Sequence, residues 1–176
     1  MGLYNFKPQF VPFIKEWSKR HTIRAERSKQ DLPGKVMHLF QGLRHPGAEC
    51  LMRTRCVRRD FLVITEQRRI RIGASVGLSD YPALYGEGQF HRTGFVDLDQ
   101  DEENLLAWKD GFRPEGSTQE NPGDAFRLMM QFWNGRLPFQ GQMYHWDPRV
   151  QFSWPRPGRL IQITPQHPFY VKGAAA

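Results

Sequence analysis

Seven arginines fall between residues 53 and 71, at positions 53, 55, 58, 59, 68, 69 and 71. Met52, Thr54 and Cys56 alternate with Arg53 and Arg55, and Ile70 and Ile72 alternate with Arg69 and Arg71. Successive side chains of a strand point to opposite faces, so this period of two demands a sheet with one apolar and one positive face. Leu51 to Thr65 and Ile70 to Val76 read as strands, with Glu66-Gln67-Arg68 as the hairpin turn between them. Ordinary outer faces mix signs, yet Asp60 and Glu66 are the only acids from 53 to 71. The positive face is therefore expected to meet phosphate.

Around this hairpin the pattern predicts short elements. Phe10, Phe13, Ile14 and Trp17 recur at helical spacing, which predicts a helix over Pro8 to Ser18 beginning close to its two prolines. From His21 the period becomes two: His21, Ile23 and Ala25 take one face, Thr22, Arg24 and Glu26 the other. Asp31-Leu32-Pro33-Gly34 makes a turn before a strand over Val36 to Phe40. Gly77 to Gly88 reads as a loop and Phe90 to Val96 as a strand. Asp97 or Asp99 caps a second helix that stops at Asp110-Gly111, Asp99 with Glu102 forming a capping pattern. A third helix runs from its cap Asp124, through the stripe Phe126, Met129, Met130 and Trp133, to Asn134-Gly135. Met143 to Trp146 closes the domain as a strand. Strands broken by a few small helices, without regular alternation, predict an α+β, mainly β domain or a small β-barrel. Residues 148–176 are rich in proline, with Leu160 to Ile163 as their strand-like run, and read as an extension to a domain over 1–147.

The 25 Lys and Arg outnumber 18 Asp and Glu, giving a net charge of +7, which favours polyanionic partners. No run approaches the ~20 apolar residues of a membrane span, and the N-terminus has no apolar signal core. The chain reads as a soluble, cytoplasmic protein with no membrane association. Cys50 and Cys56 would stand roughly 20 Å apart on an extended strand, beyond disulfide reach. No cysteine or histidine spacing matches a metal site, and Gly86-Glu87-Gly88 lacks the rest of a dinucleotide fingerprint, so neither metal nor cofactor is expected.

The chemistry gathers at a helix-to-strand junction, Lys19-Arg20-His21-Thr22-Ile23-Arg24. An amine, a hydroxyl and a guanidinium stand there within six residues. The Lys19-x-x-Thr22-Ile23-Arg24 run, the Pro33-Gly34 turn before a strand, the Asp110-Gly111-Phe112 segment and the helix 124–133 before a final strand occur in an order that resembles the ASCH domain of the PUA-like superfamily, in its bacterial or phage form. The likeness spans roughly residues 3 to 147. It implies a small PUA-like β-barrel flanked by short helices, with a cleft at the Lys-x-x-Thr segment. It also implies RNA binding, ribonuclease activity, or amide hydrolysis on N4-acetylated cytidine. By motif position the catalytic lysine, threonine and glutamate of the hydrolytic members fall on Lys19, Thr22 and Asp110, the last a shorter acid than the family's.

Read from its residues alone, the junction is consistent with that chemistry. A threonine hydroxyl needs a base to become a nucleophile. Lys19 serves only if burial or neighbouring cations lower its pKa, and Arg20, His21 and Arg24 push that way while Asp110 opposes them. Tyr144 and Trp146 share a strand face and Phe112 follows the Asp110-Gly111 stop, so these rings are candidates for base stacking. Arg53 and Arg55, with Arg20, His21 and Arg24, are the candidate nucleic-acid contacts. Two functions follow as expectations. The first is binding of RNA, another single-stranded nucleic acid or a modified nucleobase. The alternative is hydrolysis of a modified nucleoside or RNA by Lys19, Thr22 and Asp110.

Overall fold

The computed structural model describes residues 2–25, 32–77, 96–146, 150–152 and 160–162. It is a mixed α+β structure, mainly β. In chain order come β1 (Gly2–Phe6), a 3-10 turn (Pro8–Phe10) running into α1 (Val11–Lys15), β2 (His21–Ala25), β3 (Val36–Gln41) and β4 (Glu49–Ile64). Then follow β5 (Ile70–Gly77), β6 (Val96–Asp97), α2 (Gln100–Lys109), α3 (Ala125–Trp133), β7 (Phe139–Trp146), β8 (Val150–Phe152) and β9 (Leu160–Gln162). The expected loop over 77–88 and strand over 90–96 lie almost wholly outside the described residues.

The 16-residue β4 is the axis of a seven-stranded sheet. Its first half pairs antiparallel with β3, and its second half pairs with both β5 and β7. β1 joins parallel to β3, β2 antiparallel to β7, and β6 antiparallel to β5. The β4–β5 hairpin turns where the sequence placed it, the Arg68 N–H donating to the Thr65 carbonyl oxygen at 2.9 Å. In the proline-rich extension β8 and β9 pair as a small antiparallel ribbon, of which only β9 was expected.

A bulge in β4 organises the interior. Cys56 opposes Trp146 and Arg58 opposes His145, so one step along β7 takes two along β4. Such an insertion turns the following side chains onto the other face. Met52, Thr54 and Cys56 are buried before it, and Arg58, Asp60, Leu62 and Ile64 are buried after it. β7 is buried on both faces from Gly141 to Trp146. Tyr144 and Trp146 receive the edges of Tyr4 and Phe6 from β1 at 5.5 and 6.3 Å between ring centres. The strand β1, whose buried Gly2, Tyr4 and Phe6 alternate with exposed Leu3 and Asn5, was not anticipated from the sequence.

The helices set the site's geometry. The expected helix over 8–18 is only one turn of 3-10 and one turn of α: Pro8 and Pro12 fall in the first turns, where they are tolerated, and the helix stops short of Trp17. Trp17 then takes a left-handed conformation (φ 64°), and the N–H groups of Ser18 and Lys19 both donate to the Phe13 carbonyl at 2.9 Å. This sharp reversal carries Lys19 into the interior. α2 begins with the capping box read from the sequence: Asp99 accepts from the Glu102 N–H at 2.9 Å, and Glu102 accepts from the Asp99 N–H at 3.0 Å. It ends at Asp110, with Gly111 at φ 98°, where a Cβ would stand 2.9 Å from the Phe10 ring. α3 buries Ala125, Met129, Met130 and Trp133, while Phe126 is half-buried. Asp124 sits at its N-cap without capping it; Asn104 of α2 accepts the Phe126 N–H instead, at 3.0 Å.

β2 and β7 approach so closely that a Cβ on Gly141 would lie 2.2 Å from the Arg24 carbonyl oxygen and 2.6 Å from the Phe139 ring. Gly141→Ala is therefore expected to cost about 3 kcal/mol or more in urea unfolding. Gly135→Ala, which meets nothing within 4 Å, incurs only its left-handed backbone penalty of about 1–2 kcal/mol. Equal losses would contradict the close packing of these strands.

Candidate functional site

A pocket of about 620 Å³ opens between the end of β1, β2, the C-terminus of α2, α3 and the start of β7. Lys19, Thr22, Arg24, Asp110 and Phe112 all line it. The three residues assigned to catalysis by motif position, drawn from segments some 90 residues apart, thus share one wall. Phe6, Phe10, Phe132, Trp133 and Phe139 supply half of the remaining lining residues.

Lys19 is 1% exposed, and its ammonium donates both to Oδ1 and to the backbone carbonyl of Asp110. The shorter aspartate therefore reaches the lysine, because the α2 C-terminus itself is brought against β2. Lys19 Nζ also lies 5.1 Å from the centre of the Phe10 ring. Burial lowers the Lys19 pKa to about 8, against the pull of Asp110 and with help from the Arg24 and Arg113 charges. Burial likewise raises Asp110 above the ordinary carboxyl range, although Lys19, Arg24 and His145 oppose it. Between the cations and the carboxylate, desolvation decides both values.

Behind Asp110 lies a second polar layer. His21 Nε2 is 3.5 Å from Asp110 Oδ1, and the His21 ring sits 5.5 Å from that of His145. His145 Nε2 meets Asp60 Oδ2 at 2.8 Å, and the Arg58 guanidinium donates to Asp60 Oδ1 at 2.6 Å. Burial holds His21 well below the usual imidazole value, reinforced by the Lys19, His145 and Lys109 charges, so His21 is neutral at pH 7. Burial would raise Asp60, but His145 and Arg58 outweigh it and bring the carboxyl to about 2. These groups also line a smaller cavity of about 140 Å³ under α2. Six buried ionisable residues thus run from the large pocket to the small one.

Other expected site residues lie elsewhere. Tyr144 and Trp146 are fully buried against β1 and line neither cavity, so the expectation that they stack a base is corrected: the pocket's rings come from other elements. Arg20 is half-buried outside the pocket, with its Nε 3.5 Å from the Trp17 carbonyl oxygen. His21 belongs to the polar layer rather than to the pocket wall. Arg53 and Arg55 are half-buried on β4, opposite His38 and Val36 of β3, away from the pocket. The positive stripe is also interrupted. Arg58 turns inward to Asp60, Arg69 pairs with Glu103 at 3.0 Å, and Arg71 pairs with Asp97 at 2.5 Å.

The reading from sequence missed Asp60 and His145, along with the aromatic wall. Asp60 did leave a signal, as a lone acid at an even-numbered, inward position of an arginine-rich strand. His145 sits between two residues expected to face together, which marks the opposite face. Nothing local marked Phe132 or Trp133 as pocket lining rather than core.

A buried ion pair costs desolvation that its attraction only partly returns. Replacing both partners, as Lys19→Met with Asp110→Leu, is expected to raise unfolding stability at pH 7 by about 1–4 kcal/mol. Because folding lowers the Lys19 pKa, the unfolded chain binds the extra proton between about pH 8 and its ordinary 10.5, and wild-type stability rises with pH across that window. The gap between variant and wild type should narrow there; a constant gap would contradict a lowered Lys19 pKa.

No protein-family model, curated protein or solved structure matches this chain. The chemistry of the pocket itself carries the functional reading.

Proposed function

We propose that the pocket binds a single modified nucleobase and hydrolyses an acyl amide on it, as on N4-acetylcytidine, with the sheet closed as an ASCH-type barrel. The observation that carries this reading is a desolvated lysine, held by an aspartate, on the same wall as a threonine inside an aromatic pocket. With its pKa lowered to about 8, Lys19 has a far larger neutral fraction near neutral pH than a lysine at 10.5. That fraction can accept a proton, which an ordinary surface lysine cannot do at this pH.

The roles follow from the groups present. Neutral Lys19 takes the proton of the Thr22 hydroxyl as its oxygen attacks the acyl carbon. The C–N bond breaks, and the resulting Lys19 ammonium returns that proton to the departing amine. Water then cleaves the threonine ester, again with Lys19 as base, releasing the carboxylic acid and restoring Thr22. Asp110 fixes the lysine through two hydrogen-bond acceptors. Arg24 faces the pocket from the same strand as Thr22 and supplies positive charge for the oxyanion. The phenylalanine and tryptophan rings supply flat apolar surface for the base. The order of motifs shared with ASCH proteins supports the same assignment.

Binding of a modified base within RNA, without turnover, is the second reading, and the cationic rim of the pocket favours it. Incubation with N4-acetylcytidine should release acetate and cytidine. Lys19→Ala and Thr22→Ala should each lower kcat/KM at least about a hundredfold. In wild type kcat/KM should climb with pH until a bend near 8, because the neutral amine is the active form. Saturable binding without acetate release would select the second reading; absence of both would sink the first and the second.

A further inference from the structure

We infer that the pocket takes its base as a phosphorylated nucleotide rather than as a neutral nucleoside. The inference rests on the nucleobase reading of the same pocket and adds the chemistry of what is attached to the base.

The charge of the lining is unbalanced. Among its described residues Lys7, Lys19, Arg24 and Arg136 are cationic and Asp110 alone is acidic. Lys19 and Asp110 answer each other at the pocket wall, and the other charged lining residues, Lys7, Arg24 and Arg136, are all cationic. Some cations elsewhere meet acids, as in Lys15–Glu49 at 2.8 Å, Arg69–Glu103 and Arg71–Asp97, while others among the described residues, such as Arg44 and Arg68, do not. Among the described residues neither Lys7 nor Arg136 has an acidic partner.

The three cations are also held in place. The Lys7 ammonium lies 4.4 Å from the centre of the Phe132 ring, the Arg24 guanidinium 4.8 Å from that of Phe6, and the Arg136 guanidinium 6.0 Å from that of Trp133. Each of those rings belongs to the pocket. Cations contributed by three separate segments are therefore seated on one wall of rings, which reduces the entropy lost in gripping a ligand.

Hydrogen-bonding capacity has the same bias. The backbone oxygen and Oδ1 of Asn5 are engaged by Arg24 and by the Leu43 N–H. Among the described residues the buried indole N–H of Trp133 has no hydrogen-bond partner. The pocket presents donors and positive charge, so its complement is an anion rich in acceptor oxygens. A neutral acylcytosine would use the rings and leave the rim unmatched. A phosphate monoester carries a charge of about −1.5 to −2 at neutral pH and three acceptor oxygens. A volume of about 620 Å³ also exceeds what a base alone needs and falls within the range of ligand-sized pockets.

The test is isothermal titration on the full chain carrying Thr22→Val, which removes the nucleophile and keeps its shape. The ligands are N4-acetylcytidine, its monophosphate, inorganic phosphate, and a short RNA with N4-acetylcytidine at its centre. The monophosphate is expected to bind at least about tenfold more tightly than the nucleoside, as one charge-assisted contact suffices to give. That advantage should shrink as salt is raised. Lys7→Ala with Arg136→Ala, both exposed positions, should remove most of it, Arg24 remaining, and leave nucleoside affinity nearly unchanged. Tighter binding of the RNA would identify its backbone as the phosphate source, and tighter binding of the mononucleotide would identify the free ligand; each supports the inference. Equal affinity for nucleoside and monophosphate overturns it while leaving the nucleobase reading intact. Inorganic phosphate binding as tightly as the monophosphate also overturns it, and binding of no ligand overturns both.

Discussion

A lysine ammonium and an aspartate carboxylate meet inside this protein with almost no access to water, and much of the surrounding chain is shaped to bring them together. The left-handed turn at Trp17 and the doubly used Phe13 carbonyl send Lys19 inward. From the other side, the capping box at Asp99 sets the start of α2 and the left-handed Gly111 sets its end, so that Asp110 arrives at the mouth of β2. Phe10 closes over both, packing against the bare Cα of Gly111 and beneath the lysine amine. Burial is what distinguishes this contact from a surface salt bridge. In water the pair would be fully ionised and chemically inert; desolvated, each partner is pushed toward its neutral form.

The bulge in β4 extends that arrangement into a layer. By moving Arg58 and Asp60 onto the His145 face, it places an anchored carboxylate behind two histidines and, through them, behind Asp110. Arg58 and His145 keep Asp60 ionised, whereas burial keeps His21 neutral beside Asp110. Charge is thus fixed at one end of the layer and adjustable at the pocket end. Arg58 stands at a buried, even-numbered position beside Asp60, and Arg69 and Arg71 meet acids, which is why the strongest compositional signal in the chain does not become a continuous phosphate-binding stripe.

Local signals in the sequence located α2 at both ends, the β4–β5 hairpin and the strand at His21, because caps, turns and period-two runs act over a few residues. They also brought forward Lys19, Thr22 and Asp110 as a set, through motif order. What escaped them depends on distant chain. The positive face appeared unpaired because Asp97 and Glu103, which answer Arg71 and Arg69, lie some 26 to 34 residues away. Tyr144 and Trp146 resembled stacking rings because β1, whose Tyr4 and Phe6 cover them, had not been recognised as a strand. The N-terminal helix was over-extended because the apolar spacing of Phe10, Phe13, Ile14 and Trp17 runs on to Trp17, whose left-handed backbone ends the helix. That Arg58 lies opposite His145 needs a bulge whose register only β7 reveals.

The central claim is that burial, with Asp110 as partner, poises the Lys19 amine to lose its proton near physiological pH. Heteronuclear NMR of the Lys19 side chain, assigned by comparison with Lys19→Met and followed across pH, measures this directly. The account predicts a titration midpoint near 8. A midpoint at or above the ordinary lysine value of 10.5 would show that attraction to Asp110 overrides desolvation, and would contradict it.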